Sequence, residues 1–274
     1  MLQALIVSLL AGLATSIGGL LAMNKRTLER EYLAISLAFA AGAMLLVSFM
    51  EILPLGVAAM RETRSNQAAQ AIVYLAFFGG IAFVLLIDRF LPSSMNPNEI
   101  EGRESALTER ESTRNLRLLR SGMLVALVLA LHNFPEGMAT FFTTYREPKV
   151  GITLAIAIAI HNVPEGIAVA APVFAATGSR RKALLWTTLS GLTEPIGGLM
   201  AAALITWVVP PTFFGVFYGF GVFYGIVAGM MVFLALDELL PGSWRYQTDK
   251  HQTIYGMLAG LAIVAVSLVM FSAA

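Results

Sequence analysis

The sequence predicts an all-α protein that crosses a membrane eight times as a single membrane-embedded domain, residues 1–274. Composition is the first observation behind this: 57% of residues belong to the AVILMFWYC set, only 13% are charged, and mean hydropathy is +0.76, whereas soluble domains are about one quarter charged. The second is length. Apolar runs of about 20 residues, enough to span a bilayer's hydrocarbon core, recur between short polar breaks. The third is the alternation of basic residues from one break to the next, which fixes both the span count and the orientation.

The runs lie near 2–23, 33–54, 71–90, 121–144, 150–176, 183–209, 215–240 and 254–272. The first lacks a basic start and is followed by Asn24, Lys25 and Arg26 rather than a small-residue cleavage site, so it reads as a retained span and not a signal peptide. The long break over about 91–120 is rich in Glu, Arg, Ser and Asn, and reads as a solvated cytoplasmic loop rather than a second domain. It holds no histidine that could gather metal. All but four of the 18 Lys and Arg residues fall on the side of that loop; the exceptions are Arg61, Arg64, Arg146 and Lys149. Adding or removing one span would scramble this split, and it places both termini outside the cytoplasm.

Several function classes drop out. A formal net charge of +1 gives nucleic acid no basic footprint. The absence of cysteine removes disulfides, thiolate catalysis and thiolate metal sites together. The lipid bilayer is the one partner that composition requires.

Charged groups at bilayer depth cost at least a few kcal/mol each, and six carboxylates fall within the spans: Glu51, Glu136, Glu165, Glu194, Asp237 and Glu238. His132 and His161 join them. No Lys or Arg lies at mid-depth, so protons or metal cations must supply the compensating charge. The placement is specific, for residues 131–137 (LHNFPEG) and 160–166 (IHNVPEG) are near copies on consecutive spans. At 1.5 Å per residue, His132 lies about 17 Å into its span, at the midplane. In each copy His and Glu are four residues apart on one helix face, with Asn beside them. Pro135 and Pro164 free the carbonyls of Leu131 and Ile160 and kink the helix. Freed carbonyls at that depth are tolerated where they line a cavity or coordinate an ion. Gly137 and Gly166 allow close helix approach.

Residues 191–198 (GLTEPIGG) add Glu194 in the sixth span. Mixed imidazole and carboxylate donors suit zinc, ferrous iron, manganese or cobalt, whereas calcium and magnesium sites are normally all oxygen. Antiparallel copies of one motif point to a pseudo-two-fold site that opens to either side.

The paired HNxPEG segments and the GLTEPIGG segment resemble the ZIP metal transporter family, and the short soluble loops resemble its bacterial ZupT-like branch. The resemblance covers most of the 274 residues. It implies uptake of zinc, and also of ferrous iron, manganese or cobalt, into the cytoplasm through a two-metal site in a bacterial inner membrane. These ions are substrates, and no prosthetic group is implied; a homodimer stays open. The ligands it implies are His132, Asn133, Glu136, His161, Asn162, Glu165 and Glu194. Met44, in the second span, matches a position where relatives place a thioether ligand. Asp237 and Glu238 stand where other members put His-Glu on the exit route, and here the histidine is missing.

Other readings bear on particular residues. Met44 also reads as core packing, Glu51 as an entrance carboxylate or an interfacial group, and Asp237 and Glu238 as solvated groups at a helix end before Pro241. His251 reads as an exposed loop residue. An intramembrane metalloprotease would show H-E-x-x-H, but asparagine follows the histidine in both copies. A channel needs weak multi-site binding, which deeply buried multidentate ligands do not give.

Overall fold

A computed structural model of the chain describes residues 1–90, 111–208 and 216–272. The described residues are helical throughout, with no strand. The helices are α1 (Leu2–Leu21), α2 (Arg30–Val47), α3 (Leu53–Arg61), α4 (Asn66–Phe90), α5 (Glu111–Arg146) and α6 (Pro148–Thr177). They continue with α7 (Arg180–Gly191), α8 (Thr193–Ala203), α9 (Val216–Leu234), α10 (Leu240–Tyr246) and α11 (Gln252–Ser272). Seven stretches among the described residues are long and apolar enough to cross a membrane. The remaining expected span, 121–144, lies inside α5. The chain is a polytopic helical membrane protein.

Three stretches are built from more than one helix. The second span runs through a π-helical turn, Ser48–Ile52, into α3, and the seventh runs through another, Ala235–Leu239, into α10. In both, a proline follows directly, Pro54 or Pro241, at the start of the next helix. Proline cannot donate to the carbonyl four residues back, and a widened turn reroutes the backbone bonds so that the helix continues. The sequence reading is corrected here: neither proline ends its span. The second span reaches Arg61 rather than 54, and Asp237 and Glu238 lie within a continuing helix rather than at its end. The sixth span joins α7 to α8 at Leu192.

The expected 91–120 loop is also shorter than predicted, because 111–120 form the first turns of α5; residues 91–110 lie outside the described ones. At the other end of α6, Gly178 adopts the left-handed conformation (φ 62°) that closes a helix C-terminus. Ser179 then caps α7 by accepting from the Lys182 backbone N–H.

Helix α6 sits at the centre, packed against α1, α2, α5, α7 and α11. Of its membrane-crossing window 67% is buried, against 22% for α4 and for α11, which are peripheral. The outer faces carry Leu10, Ile17, Leu75, Phe78, Val266 and Val269 exposed, a continuous apolar exterior of the kind a bilayer solvates. Polar links tie the helices together at several levels. Thr143 Oγ1 and Tyr224 Oη meet at 2.8 Å between α5 and α9, and Ser243 Oγ donates to the Ala34 carbonyl at 2.7 Å. On the surface, Arg146 pairs with Glu62. His251 is exposed, as expected.

Candidate metal site

Helices α5 and α6 continue through Pro135 and Pro164 and bring the two HNxPEG copies together. His132, Asn133, Glu136, His161, Asn162, Glu165 and Glu194 are all buried, His132 to 2% exposure and the rest to 0%. The pairing crosses between helices. His132 Nε2 lies 3.4 Å from Glu165 Oε1, and His161 Nε2 lies 3.6 Å from Glu136 Oε1. Two ligands on one tetrahedral zinc, with bonds of about 2.0–2.2 Å, stand roughly 3.3–3.6 Å apart. Both separations fall in that interval.

Further contacts orient the donors. His161 Nδ1 lies 3.3 Å from the Ala157 carbonyl, one turn back on its own helix. A hydrogen bond there fixes the tautomer that leaves Nε2 with a free lone pair. Asn162 Nδ2 donates to the Ala11 carbonyl at 3.0 Å and to Glu194 Oε1, which ties α1, α6 and α8 together at one level. Asn133 Nδ2 donates to the Ser190 carbonyl at 3.5 Å.

The site is rich in acceptors and short of donors. Beyond the contacts of Glu136 Oε1 and Glu165 Oε1 with the two imidazoles, the Oε2 atoms of Glu136, Glu165 and Glu194 and the Oδ1 atoms of Asn133 and Asn162 are buried without a hydrogen-bond partner. No Lys or Arg lies among the residues that the structure shows buried. Buried acceptors left unpaired cost free energy unless a proton or cation meets them, so the donor set fits a divalent cation. The residues form two His–Glu pairs rather than one compact cluster: among the described residues, no three His, Asp or Glu side chains converge tightly enough to hold one ion by themselves.

Other candidate residues lie apart from these polar contacts. Met44 is fully buried in the apolar cluster that contains Ala139, Leu154 and Ile158. Glu51, in the first π-helical turn, lines a cavity of about 660 Å³ with Lys149 and Thr153. Glu238, in the second, lines an apolar cavity of about 320 Å³ that also reaches His132, Phe134 and Phe223.

Helix α1 was not singled out from the sequence, yet it supplies much of the site's frame. Ser8 Oγ donates to the Glu194 carbonyl at 3.1 Å, and Thr15 packs beside Gly191. The signal was present: residues 12–20 (GLATSIGGL) repeat residues 191–199 (GLTEPIGGL) at six of nine positions.

The chain is similar to known proteins over nearly its whole length. The family model described as ZIP Zinc transporter matches residues 2–114 and 94–268. The chain is 47% identical over 264 residues to a protein of Corynebacterium aurimucosum named Zinc transporter ZupT, covering 96% of this chain and 95% of that one. It is 46% identical over 272 residues to the Corynebacterium glutamicum protein of the same name, covering 99% and 100%. A Lysinibacillus sphaericus protein, also so named, is 43% identical, with 96% of each chain covered. Likeness this deep, over nearly the whole length and on a helical membrane scaffold with paired HNxPEG motifs, means that the chain belongs to the ZIP zinc transporter family.

Proposed function

We propose that the chain carries zinc across a bacterial inner membrane into the cytoplasm, binding it at mid-membrane between α5 and α6. It belongs to a transporter family rather than to an enzyme family. The observation that carries the reading is the crossed pairing of His132 with Glu165 and His161 with Glu136, at separations that match two ligands of one zinc ion. Asn133, Asn162 and Glu194 complete two adjacent sub-sites. Met44, fully buried on α2, is the thioether ligand that the family resemblance implies.

Ferrous iron, manganese and cobalt share the site, because mixed nitrogen and oxygen ligation does not separate borderline divalent ions by donor type. Calcium and magnesium, which favour all-oxygen shells, are excluded. The distribution of Lys and Arg supports a topology with both termini in the periplasm. Release follows from opening the site to the other side, as inverted repeats around a fixed mid-membrane site permit. The apolar cavity from His132 to Glu238 supports Glu238 as a group on the inward path.

Uptake of radioactive zinc into proteoliposomes, with iron, manganese, cobalt and calcium as competitors, tests this. Saturable uptake that the transition metals inhibit and calcium does not is the expected result. Flux proportional to concentration up to high millimolar zinc would indicate a channel and overturn the carrier reading.

A further inference from the structure

Glu51 and Glu238 hold corresponding places in the fold. Each lies three residues before the proline that follows a π-helical turn, within residues 41–54 (AGAMLLVSFMEILP) and 228–241 (AGMMVFLALDELLP), which agree at six of fourteen positions. The cavities beside them differ. That at Glu238 is apolar and reaches His132, whereas that at Glu51 touches none of the candidate metal ligands and has Lys149 on its wall. An ammonium there repels a bare divalent cation, so this cavity is poorly suited to lead metal to the site. The carboxylate still needs a partner. A charge within a span is costly unless something meets it, yet among the described residues no ion pair or hydrogen bond meets the Glu51 side chain. Lys149 shares its cavity without pairing with it.

The cavity's position narrows the choice of partner. Lys149 stands in the first turn of α6 and Phe271 in the last turn of α11. Thr153 Oγ1 joins these two ends, donating to the Lys149 carbonyl at 3.0 Å and lying 3.4 Å from that of Phe271. Ends of spanning helices mark the interfacial layer of a bilayer, where phospholipid headgroups lie. Met50, Val269 and Phe271, also on the cavity wall, are 63%, 69% and 40% exposed and belong to the apolar exterior. The cavity is therefore entered sideways, from lipid. Its volume of about 660 Å³ falls within the roughly 300–1,000 Å³ of small-ligand sites. A carboxylate and an ammonium at headgroup level, flanked by apolar side chains, complement a zwitterion that carries acyl chains.

We propose that the cavity between α2, α6 and α11 binds one phospholipid with an ethanolamine headgroup, its ammonium on the Glu51 carboxylate, its phosphate on Lys149 and its chains along Met50 and Val269. A carboxylate accepts N–H bonds, so a primary ammonium suits Glu51 better than the quaternary amine of choline, which has no N–H. An anionic headgroup brings Glu51 no positive charge at all. The bound lipid bridges α2 to α6, the helix that carries the second HNxPEG copy. None of the residues that hold it is a candidate metal ligand, so the proposal stands or falls separately from the zinc site.

The test is native mass spectrometry of the purified full-length protein titrated with phosphatidylethanolamine, phosphatidylcholine or phosphatidylglycerol of matched acyl chains, with lipid-free melting in detergent as the check on folding. The first phosphatidylethanolamine should bind at least about tenfold more tightly than either other lipid, the worth of one charge-assisted hydrogen bond. Glu51→Leu should abolish that preference, and Glu51→Gln, measured alongside, removes the same charge should the Leu variant not fold. Lys149→Gln should weaken all three lipids alike, because each carries a phosphate. Glycerophosphoethanolamine, the same headgroup without chains, should not compete. Equal binding of the three lipids by the wild type, or a preference that survives in the Glu51 variants, would overturn the proposal. Competition by the soluble headgroup would overturn a lipid as the occupant. Loss of a bound zinc in Glu51→Gln, with no lipid preference in the wild type, would assign Glu51 to metal instead.

Discussion

His132 of the first HNxPEG copy and Glu165 of the second approach to 3.4 Å across the α5–α6 interface, and His161 and Glu136 mirror them at 3.6 Å. Neither motif is complete without the other helix. Removing either member of a crossed pair should therefore disable the same ion. His132→Ala and Glu165→Ala should each lower zinc uptake at least about 100-fold, and the double variant should lose little more than either alone, because residues acting as a unit are not additive. Initial uptake rates in proteoliposomes check this, and additive losses would mean that the two residues act separately.

Zinc should enter with proton release. Carboxylates and imidazoles bind metal only when deprotonated, and the site's acceptors are buried with no Lys or Arg among the residues that the structure shows buried to balance them. Calorimetric titration in buffers of different ionisation enthalpy should give binding heats that depend linearly on the buffer. Identical heats in all buffers would show that no proton is exchanged.

Gly137 and Gly166 should tolerate no side chain. Their added Cβ atoms would meet the Glu194 and Thr15 carbonyls, which are backbone and cannot swing aside, whereas Gly79 has nothing within 4 Å. Gly137→Ala and Gly166→Ala should destabilise by about 1–3 kcal/mol, as overpacking does. Gly79→Ala should be neutral or slightly stabilising, because alanine favours the helix. Melting temperatures in detergent separate the two classes.

Tyr224→Phe should cost about 1 kcal/mol or less, the scale of a side-chain hydrogen bond between membrane helices. Its hydroxyl meets Thr143 Oγ1 at 2.8 Å and links α5 to α9. Thr143 Oγ1 also donates to the Ala139 carbonyl at 2.8 Å, so Thr143→Val should cost somewhat more. A double-mutant cycle on melting free energies measures the shared part.

Much of this was legible in the sequence because the bilayer imposes it. Apolar runs of spanning length and the alternation of Lys and Arg gave the helices, and the i, i+4 spacing of His132 and Glu136 and of His161 and Glu165 gave the shared faces. The crossing of the pairs was not legible, since a repeat shows that two motifs meet but not which member faces which. Pro54 and Pro241 misled for a physical reason: proline normally ends a helix, and here a π-helical turn before each one absorbs the missing donor. Residues 111–120, polar enough to read as loop, are helical because they extend a helix already nucleated by the span behind them.

Equilibrium binding of radioactive zinc to the purified wild type, His132→Ala and Glu165→Ala tests the crossed site most directly, with metal-free melting temperatures to confirm folding. Both variants should lose affinity at least about 100-fold, by similar factors, at unchanged metal-free stability. Wild-type affinity in either variant would show that zinc is not held between His132 and Glu165.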